Sequence, residues 1–189
     1  MLAVPEIVAR LRAAGPLDRG ETANGPQAAV AAMVKPGGEI FFIVRADHPQ
    51  DPWSGHVAFP GGRRDPEDES LVAVAIRETL EEVGVALTEQ QLVGRLPDLR
   101  ASARTRRTDL TVTPFVFTVP EDTVVVANAE VANSVWVPLE LLARGERSSF
   151  DMTYDGATYP MPCIYLGPAN HRLWGMTLTM LDSLLASLR

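Results

Sequence analysis

The sequence predicts an α/β protein in which a mixed β-sheet carries helices on both faces. Three observations predict this class. Short β-rich runs recur along the chain, an acidic helical segment interrupts them before the midpoint, and an apolar helical stripe follows the last of them. A chain of 189 residues fills one domain well and is short for two, so we expect a single domain over residues 1–189.

The composition excludes several classes of function. The 24 acidic and 17 basic side chains give a net charge of −7. Nucleic-acid binding draws most of its affinity from a basic surface, so we expect no nucleic-acid partner. Cys163 is the sole cysteine, which excludes an internal disulfide and a cysteine metal cluster. Charged side chains interrupt the first 19 residues, and no apolar run of 18 residues follows, so we expect a cytoplasmic protein with no membrane partner.

The first predicted elements are a helix and a β-hairpin. Apolar residues recur at helical spacing within residues 1–19, which we interpret as an N-terminal helix. Residues 29–34 and 39–45 are β-rich and flank a Pro-Gly-Gly turn, so they predict a hairpin. Arg45 ends the second strand. We interpret its guanidinium either as a contact to a substrate phosphate or as a charge on an edge strand.

Residues 55–85 are the segment of the sequence that is most informative about function. Phe59-Pro60-Gly61-Gly62 ends the strand before it, because proline cannot donate a ladder hydrogen bond and glycine adopts backbone angles that other residues avoid. The pattern then becomes helical. We expect a helix from Ser70, a residue type suited to the N-cap, to Val83, with Gly84 as its C-terminal stop.

The charges on this helix are not those of a helix selected only for stability. Glu78 lies three and four residues before Glu81 and Glu82, where like charges repel by about 0.2–0.5 kcal/mol per pair. A helical projection places these acids opposite an apolar side that consists of Val72, Ile76, Thr79, Leu80 and Val83. A hard divalent cation such as Mg²⁺ offsets the repulsion, because it prefers oxygen ligands. The alternative is a solvated, charge-rich surface.

Two further strands follow the helix. They are predicted at residues 91–96 and 110–119, and Pro114 indicates a bulge or an edge position in the second. Between them lies the basic cluster of the chain, which includes Arg104 and Arg107. We interpret the cluster either as a solvated loop or as a lid that contacts substrate phosphates, since an acidic protein with an anionic ligand needs local positive potential.

The last third of the chain predicts a strand, a short helix, a hairpin and a terminal helix. Residues 131–137 form the strand, and Pro138 begins the short helix. Asp155-Gly156 is a strong turn dipeptide and predicts a hairpin around itself. Residues 172–189 carry an apolar helical stripe, which we interpret as core, with a surplus face suited to a homodimer.

Residues 55–85 resemble the Nudix box, Gly-x5-Glu-x7-Arg-Glu-U-x-Glu-Glu-x-Gly-U, in which U is aliphatic. With Arg77 as the anchor, the matching positions are Glu69, Glu78, Glu81, Glu82, Gly84 and Val85. Thr79 occupies the first aliphatic position, and Leu80 follows it. Six residues separate Gly62 from Glu69, one more than the box has.

The longer loop is similar to that of the coenzyme A pyrophosphatase branch of the Nudix family. The positions that match the motif of this branch are Arg45, Gly55, Phe59-Pro60-Gly61-Gly62, Asp65 and Asp68. A second basic residue expected before the glycine is missing, because residues 51–54 read Asp-Pro-Trp-Ser. The resemblance is specific over residues 40–85.

The resemblance implies an α/β/α sandwich and a site for Mg²⁺ or Mn²⁺. The implied metal ligands are Glu78, Glu81 and Glu82, together with a backbone carbonyl of Gly61 or Gly62. Glu69 is implied as a further ligand or as a brace for the ligands.

The resemblance also implies roles around the metal. Arg77 would orient the acids through a salt bridge, and Glu78 is the alternative as the base that takes a proton from water. Gly61 is expected at the substrate, as are Arg45, Arg104 and Arg107. Nudix enzymes often place an additional acid outside the box. Glu130 is our candidate for it, the alternative being an exposed loop acid.

The activity that the resemblance implies is hydrolysis of coenzyme A or its thioesters at the diphosphate, giving 3′,5′-ADP and a 4′-phosphopantetheine product. The first alternative is the same chemistry on ADP-ribose, a nucleotide sugar or a damaged nucleotide. A second alternative is a Nudix-like module that binds nucleotides without turnover. The intact acids weigh against it, because a pure binder has little use for crowded carboxylates. The expected partner is therefore a small-molecule diphosphate.

Overall fold

A computed structural model describes residues 4–13, 25–47, 54–103, 106–167 and 169–187. The helices are α1 (Val4–Ala13), α2 (Leu71–Val83), α3 (Leu139–Arg144) and α4 (Gly175–Ala186). The strands are β1 (Gln27–Val34), β2 (Glu39–Arg45), β3 (Val57–Ala58), β4 (Gly61–Arg63), β5 (Leu92–Arg95), β6 (Leu99–Ala103), β7 (Arg106–Thr118), β8 (Val131–Pro138), β9 (Ser148–Tyr154), β10 (Ala157–Leu166) and β11 (His171–Trp174).

The main sheet is mixed, as the sequence predicts. Its central order is β3-β2-β1-β7-β5, while β4 pairs with β1, β6 with β7 and β8 with β2. The predicted hairpin is present, with Val34 opposite Ile40 in antiparallel strands. β1 and β7 run parallel over their shared length, from Gln27 opposite Thr111 to Val34 opposite Thr118. The chain therefore brings a long strand from beyond α2 back to the first strand of the sheet.

Side chains of the central strands alternate between two cores, one on each face of the sheet. In β1, Ala29, Ala31 and Met33 pack with the buried side of α2. The intervening Ala32 and Val34 pack in the core that contains residues of α1, α3 and α4. The layers are thus α2, sheet, and the other three helices, which confirms the predicted α/β/α sandwich.

Pro114 lies inside the central strand β7 rather than at an edge, which corrects one of the two positions predicted for it. Its carbonyl accepts a hydrogen bond of 2.9 Å from Leu96. On this side of β7 the pairing with β5 ends at Arg95 opposite Phe115, and the pairing with β6 begins at Leu99 opposite Val112. Pro114 therefore lies between the two ladders, where the donor that proline lacks interrupts neither of them.

The described residues of the basic segment after β5 are strand rather than loop, while a contact of this segment with substrate phosphates stays a prediction. Leu99–Ala103 forms β6 and pairs antiparallel with β7, from Leu99 opposite Val112 to Ala103 opposite Arg106. Within β6, the exposed Arg100 lies between the partly buried Leu99 and the buried Ala101, so the strand alternation is present but short. Arg107 belongs to β7 by its backbone, while its side chain and the whole of Arg104 lie outside the described residues.

The last three strands form a separate antiparallel sheet in the order β11-β10-β9. The predicted turn is present, since Asp155 and Gly156 both have positive φ, 49° and 74°. The predicted terminal helix begins later than expected, because residues 171–174 form β11. The apolar stripe of α4 is core, as interpreted, and its buried members are Leu178, Met180, Leu181, Leu184 and Leu185.

The ring contact between Trp174 and His56 joins this small sheet to the edge of the main sheet. The ring of Trp174 in β11 lies 4.9 Å from that of His56 and 5.1 Å from that of Phe150, edge-on to both. His56 directly precedes β3, so the contact covers the edge strand. Within the described part of the chain, every helix is too short or too polar to cross a membrane.

Candidate functional site

The acidic helix α2 has the ends that the sequence predicts. Ser70 is the N-cap, and its hydroxyl accepts a hydrogen bond of 3.1 Å from the backbone N–H of Ala73. Gly84 adopts the left-handed conformation with φ 67°, and its N–H donates to the carbonyl of Leu80. Such a conformation favours glycine because a side chain would be strained there. The helix is therefore fixed in length and direction by local contacts.

The loop before β8 is attached to the C-terminal end of α2. Val126 and Asn128 donate backbone hydrogen bonds of 2.9 and 2.8 Å to the carbonyls of Val83 and Glu82. The carbonyl of Glu130 in turn accepts a bond of 2.8 Å from the N–H of Ala46, directly after β2. These bonds satisfy helix carbonyls that lack partners within the helix. They also bring Glu130 to the same side of the molecule as the acidic residues.

Glu82 is buried, which corrects the predicted arrangement of the helix. Only 3% of Glu82 is exposed, whereas 51% of Leu80 is exposed, so the two residues exchange the environments that the helical projection gave them. Glu82 Oε2 accepts a hydrogen bond of 2.9 Å from the N–H of Gly61, and Oε1 lies 3.9 Å from Arg45 Nη1. Burial raises the pKa of Glu82 to about 7, against the opposing effects of Gly61 and Arg45.

Glu78 packs against the glycine turn. A Cβ added to Gly62 would lie 2.3 Å from the carboxylate carbon of Glu78, so only glycine leaves room for that side chain. The neighbouring Gly61 is confined by the sheet, because a Cβ there would lie 2.2 Å from the carbonyl oxygen of Ala29. Burial also raises the pKa of Glu78, more than the hydrogen bond from Arg77 lowers it.

The glycine turn differs from the sequence prediction in one detail. Phe59-Pro60-Gly61-Gly62 ends a strand, as predicted, but its glycines also begin β4, in which Gly61 and Gly62 pair with Val30 and Ala29. The turn is therefore a corner between two short strands. It places the N–H of Gly61 and the missing side chain of Gly62 directly against the acids of α2.

Arg77 connects the acids to one another. Its Nη1 donates to Glu78 Oε1 at 2.9 Å and to Glu81 Oε2 at 3.2 Å. Its Nη2 also donates to the carbonyl of Arg63 at 3.2 Å. The hydrogen bonds that Arg77 donates to Asp68 are the largest cause of the raised pKa of Arg77, and the bond that it donates to Glu78 adds to this effect. Sequence reasoning placed Arg77 beside the acids, and the structure brings it into contact with two of the three.

Asp68 is the residue of this site whose role the sequence analysis missed. Its Oδ1 accepts a hydrogen bond of 3.0 Å from Arg77 Nε, and its Oδ2 accepts one of 2.9 Å from Arg77 Nη2. The hydrogen bond from Arg77 lowers the pKa of Asp68. The available signal was the pair Asp65 and Asp68 in the loop. Glu69, for which the role of ligand or brace was predicted, is exposed, and among the described residues no hydrogen bond or ion pair joins it to the acids.

Glu130 and Arg45 lie near the acids, while two predicted residues cannot be placed. The charge of Glu130 contributes to the raised pKa values of Glu78 and Glu82, although its side chain is exposed. Arg45 lies beside Glu82, with Nη1 3.9 Å from Glu82 Oε1. Arg104 and the side chain of Arg107 lie outside the described residues.

The donor chemistry of the site fits a hard divalent cation. Carboxylate oxygens of Glu78, Glu81 and Glu82 and the carbonyls of Gly61 and Gly62 are the ligands that Mg²⁺ and Mn²⁺ prefer. Burial without metal leaves the negative charge of Glu82 poorly compensated, which a cation would correct. Among the residues that the structure describes, no three acidic, histidine or cysteine side chains converge on one point as a ready metal cage. Arg77 and the Gly61 N–H instead hold one oxygen of each carboxylate, so a cation would meet the second oxygen of each.

The sequence matches the model of a known protein family and is similar to an individual protein. The NUDIX domain model matches residues 24–155. The uncharacterized Nudix hydrolase NudL of Yersinia pestis is 33% identical over 158 residues, which cover 82% of this chain and 75% of the relative. Both comparisons include the glycine turn and the acidic helix.

Two solved structures share the fold. The NUDIX hydrolase from Alicyclobacillus acidocaldarius has a TM-score of 0.61 and 16% identity, over 87% of this chain and 93% of the other. A bifunctional NMN adenylyltransferase/ADP ribose pyrophosphatase from Francisella tularensis, complexed with AMP and a manganese ion, has a TM-score of 0.50 and 17% identity, over 72% of this chain and 39% of the other. At these identities the likeness shows the fold alone.

Proposed function

The chain belongs to the Nudix hydrolase family, and from this premise we propose that it cleaves the diphosphate of coenzyme A or acyl-coenzyme A to give 3′,5′-ADP and a 4′-phosphopantetheine product. At the coarser level, membership makes it a Nudix-type pyrophosphohydrolase that acts on a nucleoside diphosphate derivative. Nudix hydrolases generally use divalent metal ions. We propose coenzyme A as the substrate, and we propose which residues act on it.

One observation carries the catalytic part of the proposal. Glu82 is almost completely buried beside Gly61, and Glu78 fills the space that Gly62 leaves. The carboxylates of Glu78, Glu81 and Glu82, with a backbone carbonyl of the turn, would hold Mg²⁺ or Mn²⁺ here. When bound, the cation supplies positive charge opposite the diphosphate oxygens and acidifies the attacking water.

The residues of this chain have distinct tasks in that reaction. Water attacks one phosphorus of the diphosphate in line, the bond from that phosphorus to the bridging oxygen breaks, and two phosphate monoesters form. Glu78 is a metal ligand or, as the alternative, the base that takes the proton from water, and burial strengthens it as a base. Arg77 fixes the direction of Glu78 and Glu81. Arg45, with a third of its side chain exposed beside Glu82, suits a phosphate oxygen.

The substrate is supported by the loop that precedes the acidic helix. Phe59-Pro60-Gly61-Gly62, the extended loop with Asp65 and Asp68, and Arg45 with Gly55 are similar to the coenzyme A pyrophosphatase motif. Asp68 is engaged with Arg77, and Gly55 donates a backbone hydrogen bond to the carbonyl of Arg45. The motif residues are therefore neighbours in the fold, which supports their acting together.

A panel of diphosphates tests the proposal. Purified protein is incubated with Mg²⁺ and coenzyme A, acetyl-coenzyme A, ADP-ribose, a nucleotide sugar or an oxidised nucleoside triphosphate, and products are identified by mass spectrometry. We expect 3′,5′-ADP from coenzyme A and its thioester, and formation of 3′,5′-ADP by the Glu82→Gln variant should be about 10²–10³-fold slower. Faster cleavage of ADP-ribose or another diphosphate would reject the substrate. Inactivity across the panel with retained nucleotide binding would favour a binding module.

A further inference from the structure

The loop between the glycine turn and α2 places an unexpected acid against Arg77. We propose that Asp68, rather than Glu69 at the position of the box glutamate, is the positioning residue that holds Arg77 and, through it, Glu78 and Glu81. This inference rests on the proposed reaction at these acids but not on the identity of the substrate. The proposal gives Asp68 a physical role in a loop that is one residue longer than in the Nudix box.

The contact between Asp68 and Arg77 is a fork in which two guanidinium nitrogens meet two carboxylate oxygens. Arg77 Nε lies 3.0 Å from Asp68 Oδ1, and Nη2 lies 2.9 Å from Oδ2. Paired contacts of this kind fix the orientation of both planar groups as well as their distance. The side chain of Asp68 is 7% exposed and that of Arg77 is 29% exposed, so water competes weakly for the contact.

The fork determines where the remaining nitrogen of Arg77 points. Because the guanidinium is planar and rigid, fixing Nε and Nη2 also fixes Nη1. That nitrogen donates to Glu78 Oε1 at 2.9 Å and to Glu81 Oε2 at 3.2 Å. Asp68 therefore acts on the two glutamates without touching them. A lysine at position 77 would retain the charge but not this geometry.

The backbone of the loop explains why Asp68 is the acid that reaches Arg77. Its Oδ2 also accepts a hydrogen bond of 2.8 Å from the N–H of Asp65, and its own N–H donates to the carbonyl of Asp65 at 3.1 Å. Arg64 Nη2 donates to the carbonyl of Asp68 at 3.2 Å. These bonds close a turn that holds the Asp68 carboxylate against the helix.

Glu69 follows this turn and lies on the solvent side. Its side chain is exposed, and Ser70 directly after it caps α2. With six residues between Gly62 and Glu69, the acid that lies six positions after the glycine is Asp68. The longer loop thus shifts the bracing role by one residue.

Neutral variants of the adjacent acids test this assignment. Asp68→Asn presents an amide that still accepts from Asp65 but places a donor against Arg77, and Glu69→Gln is the matched change one residue away. The readouts are the dissociation constant of Mn²⁺, measured from the electron paramagnetic resonance signal of free ion, together with kcat and KM on an active diphosphate. We expect Asp68→Asn to weaken Mn²⁺ binding and lower kcat by about 10–100-fold each, with KM changed by less than about threefold. Glu69→Gln should change each quantity by less than about twofold.

A double-mutant cycle separates positioning from a general effect on the loop. In an Arg77→Lys background the fork is absent, so adding Asp68→Asn should weaken Mn²⁺ binding by less than about threefold further. Asp68→Glu, which keeps both acceptors, should restore most of the affinity lost in Asp68→Asn. Thermal unfolding of each variant checks that it is folded.

Three results would overturn the assignment. The first is an equal loss of Mn²⁺ affinity and kcat in Glu69→Gln and Asp68→Asn. The second is a full additional loss of Mn²⁺ affinity from Asp68→Asn in the Arg77→Lys background. The third is an Mn²⁺ affinity of Asp68→Glu that is as low as that of Asp68→Asn. If the wild-type protein cleaves no diphosphate, the proposed function fails, while the Mn²⁺ titrations still test the role of Asp68. If Asp68→Asn does not fold, Asp68→Glu and Glu69→Gln decide: a larger loss in Glu69→Gln rejects the proposal.

Discussion

Glu82 Oε2 accepts a hydrogen bond of 2.9 Å from the backbone N–H of Gly61, in a position where only 3% of Glu82 is exposed. The carboxylate lies in the last turn of α2, at the negative end of the helix dipole, and the last turn contains no basic residue. Burial, the dipole and the neighbouring Glu78 all disfavour its charge. The hydrogen bond from Gly61 and the charge of Arg45 offset only part of this cost, so the charged form of Glu82 is destabilised in the metal-free protein.

Glu82→Gln should abolish most of the activity while leaving the fold intact. The amide oxygen of glutamine can still accept from Gly61, but it supplies no negative charge to a cation. We expect kcat with Mg²⁺ to fall by about 10²–10³-fold, which corresponds to the loss of several kcal/mol of transition-state stabilisation. Steady-state kinetics and circular dichroism measure the two effects.

Glu67→Gln is the matched control for this variant, because it neutralises an exposed acid of the preceding loop. Its kcat should remain within about twofold of the wild-type value. Near-normal activity in Glu82→Gln would remove Glu82 from the set of metal ligands.

The stability of the metal-free protein should fall as the pH rises through the range in which Glu82 loses its proton. Burial raises the pKa of Glu82 from 4.5 in the unfolded chain to about 7 in the folded protein. Between these values the folded state binds more protons than the unfolded state, so the free energy of unfolding decreases with pH. The decrease from this residue is at most about 3 kcal/mol and is complete above about pH 7.

The comparison of wild type with Glu82→Gln isolates this contribution. In the presence of EDTA, urea unfolding at about pH 5 should give similar free energies for both proteins. At about pH 8 the variant should be the more stable. The titration of Asp68 does not contribute between about pH 5 and about pH 8. Its pKa is lowered from the ordinary value of 3.8, so the stability that its charge provides is lost only as the pH falls below that value. A difference between the two proteins that does not change with pH would contradict the prediction.

The ends of α2 were predictable from sequence, and the side that Glu82 faces was not. Ser70 and Gly84 act through hydrogen bonds to the adjacent turn, so residue type alone indicates them. Helical periodicity assumes that apolar residues are buried and charged ones exposed. Leu80 is exposed and Glu82 is buried because the N–H of Gly61 lies beside the helix and donates to Glu82. Gly61 belongs to β4, which lies outside the helical segment, so the helical pattern alone does not indicate this contact.

The hairpin β6–β7 and the role of Asp68 were also missed from the sequence. β6 carries arginine on an exposed position, and its strand conformation depends on pairing with β7. The family spacing indicated Glu69, whereas the turn formed by Asp65 and Asp68 directs the preceding acid to Arg77. Pairing with β7 decided the first feature, which the local sequence does not show, whereas the second depends on a local turn that the spacing of Asp65 and Asp68 could have indicated.

Gly62→Ala should displace Glu78 and lower activity more than stability. The added methyl group would lie 2.3 Å from the carboxylate carbon of Glu78, whose oxygen is held by Arg77 at 2.9 Å. Moving a reacting group by about 1 Å costs up to about 10²-fold in rate. We therefore expect kcat to fall by about 10–100-fold, measured at saturating substrate and Mg²⁺.

Gly37→Ala is the control for a new methyl group against a carboxylate. Its Cβ would lie 2.9 Å from Glu121 Oε1, but Glu121 is an exposed, flexible side chain that can move away. Its kcat should stay within about twofold of wild type. Equal effects in the two variants would show that crowding of Glu78 is not the cause.

Arg104→Ala and Arg107→Ala should distinguish coenzyme A from dephospho-coenzyme A. If these basic residues contact the 3′-phosphate, removing either one loses a charged hydrogen bond of about 1.5–3 kcal/mol. The KM for coenzyme A should then rise by about tenfold or more, while the KM for dephospho-coenzyme A changes little, because that substrate lacks the phosphate. Arg144→Ala removes an arginine of α3 that pairs with Glu140 and is 75% exposed, so it serves as the control and should affect neither substrate. An equal rise for both substrates would dismiss a contact to the 3′-phosphate and leave the two arginines a general electrostatic role.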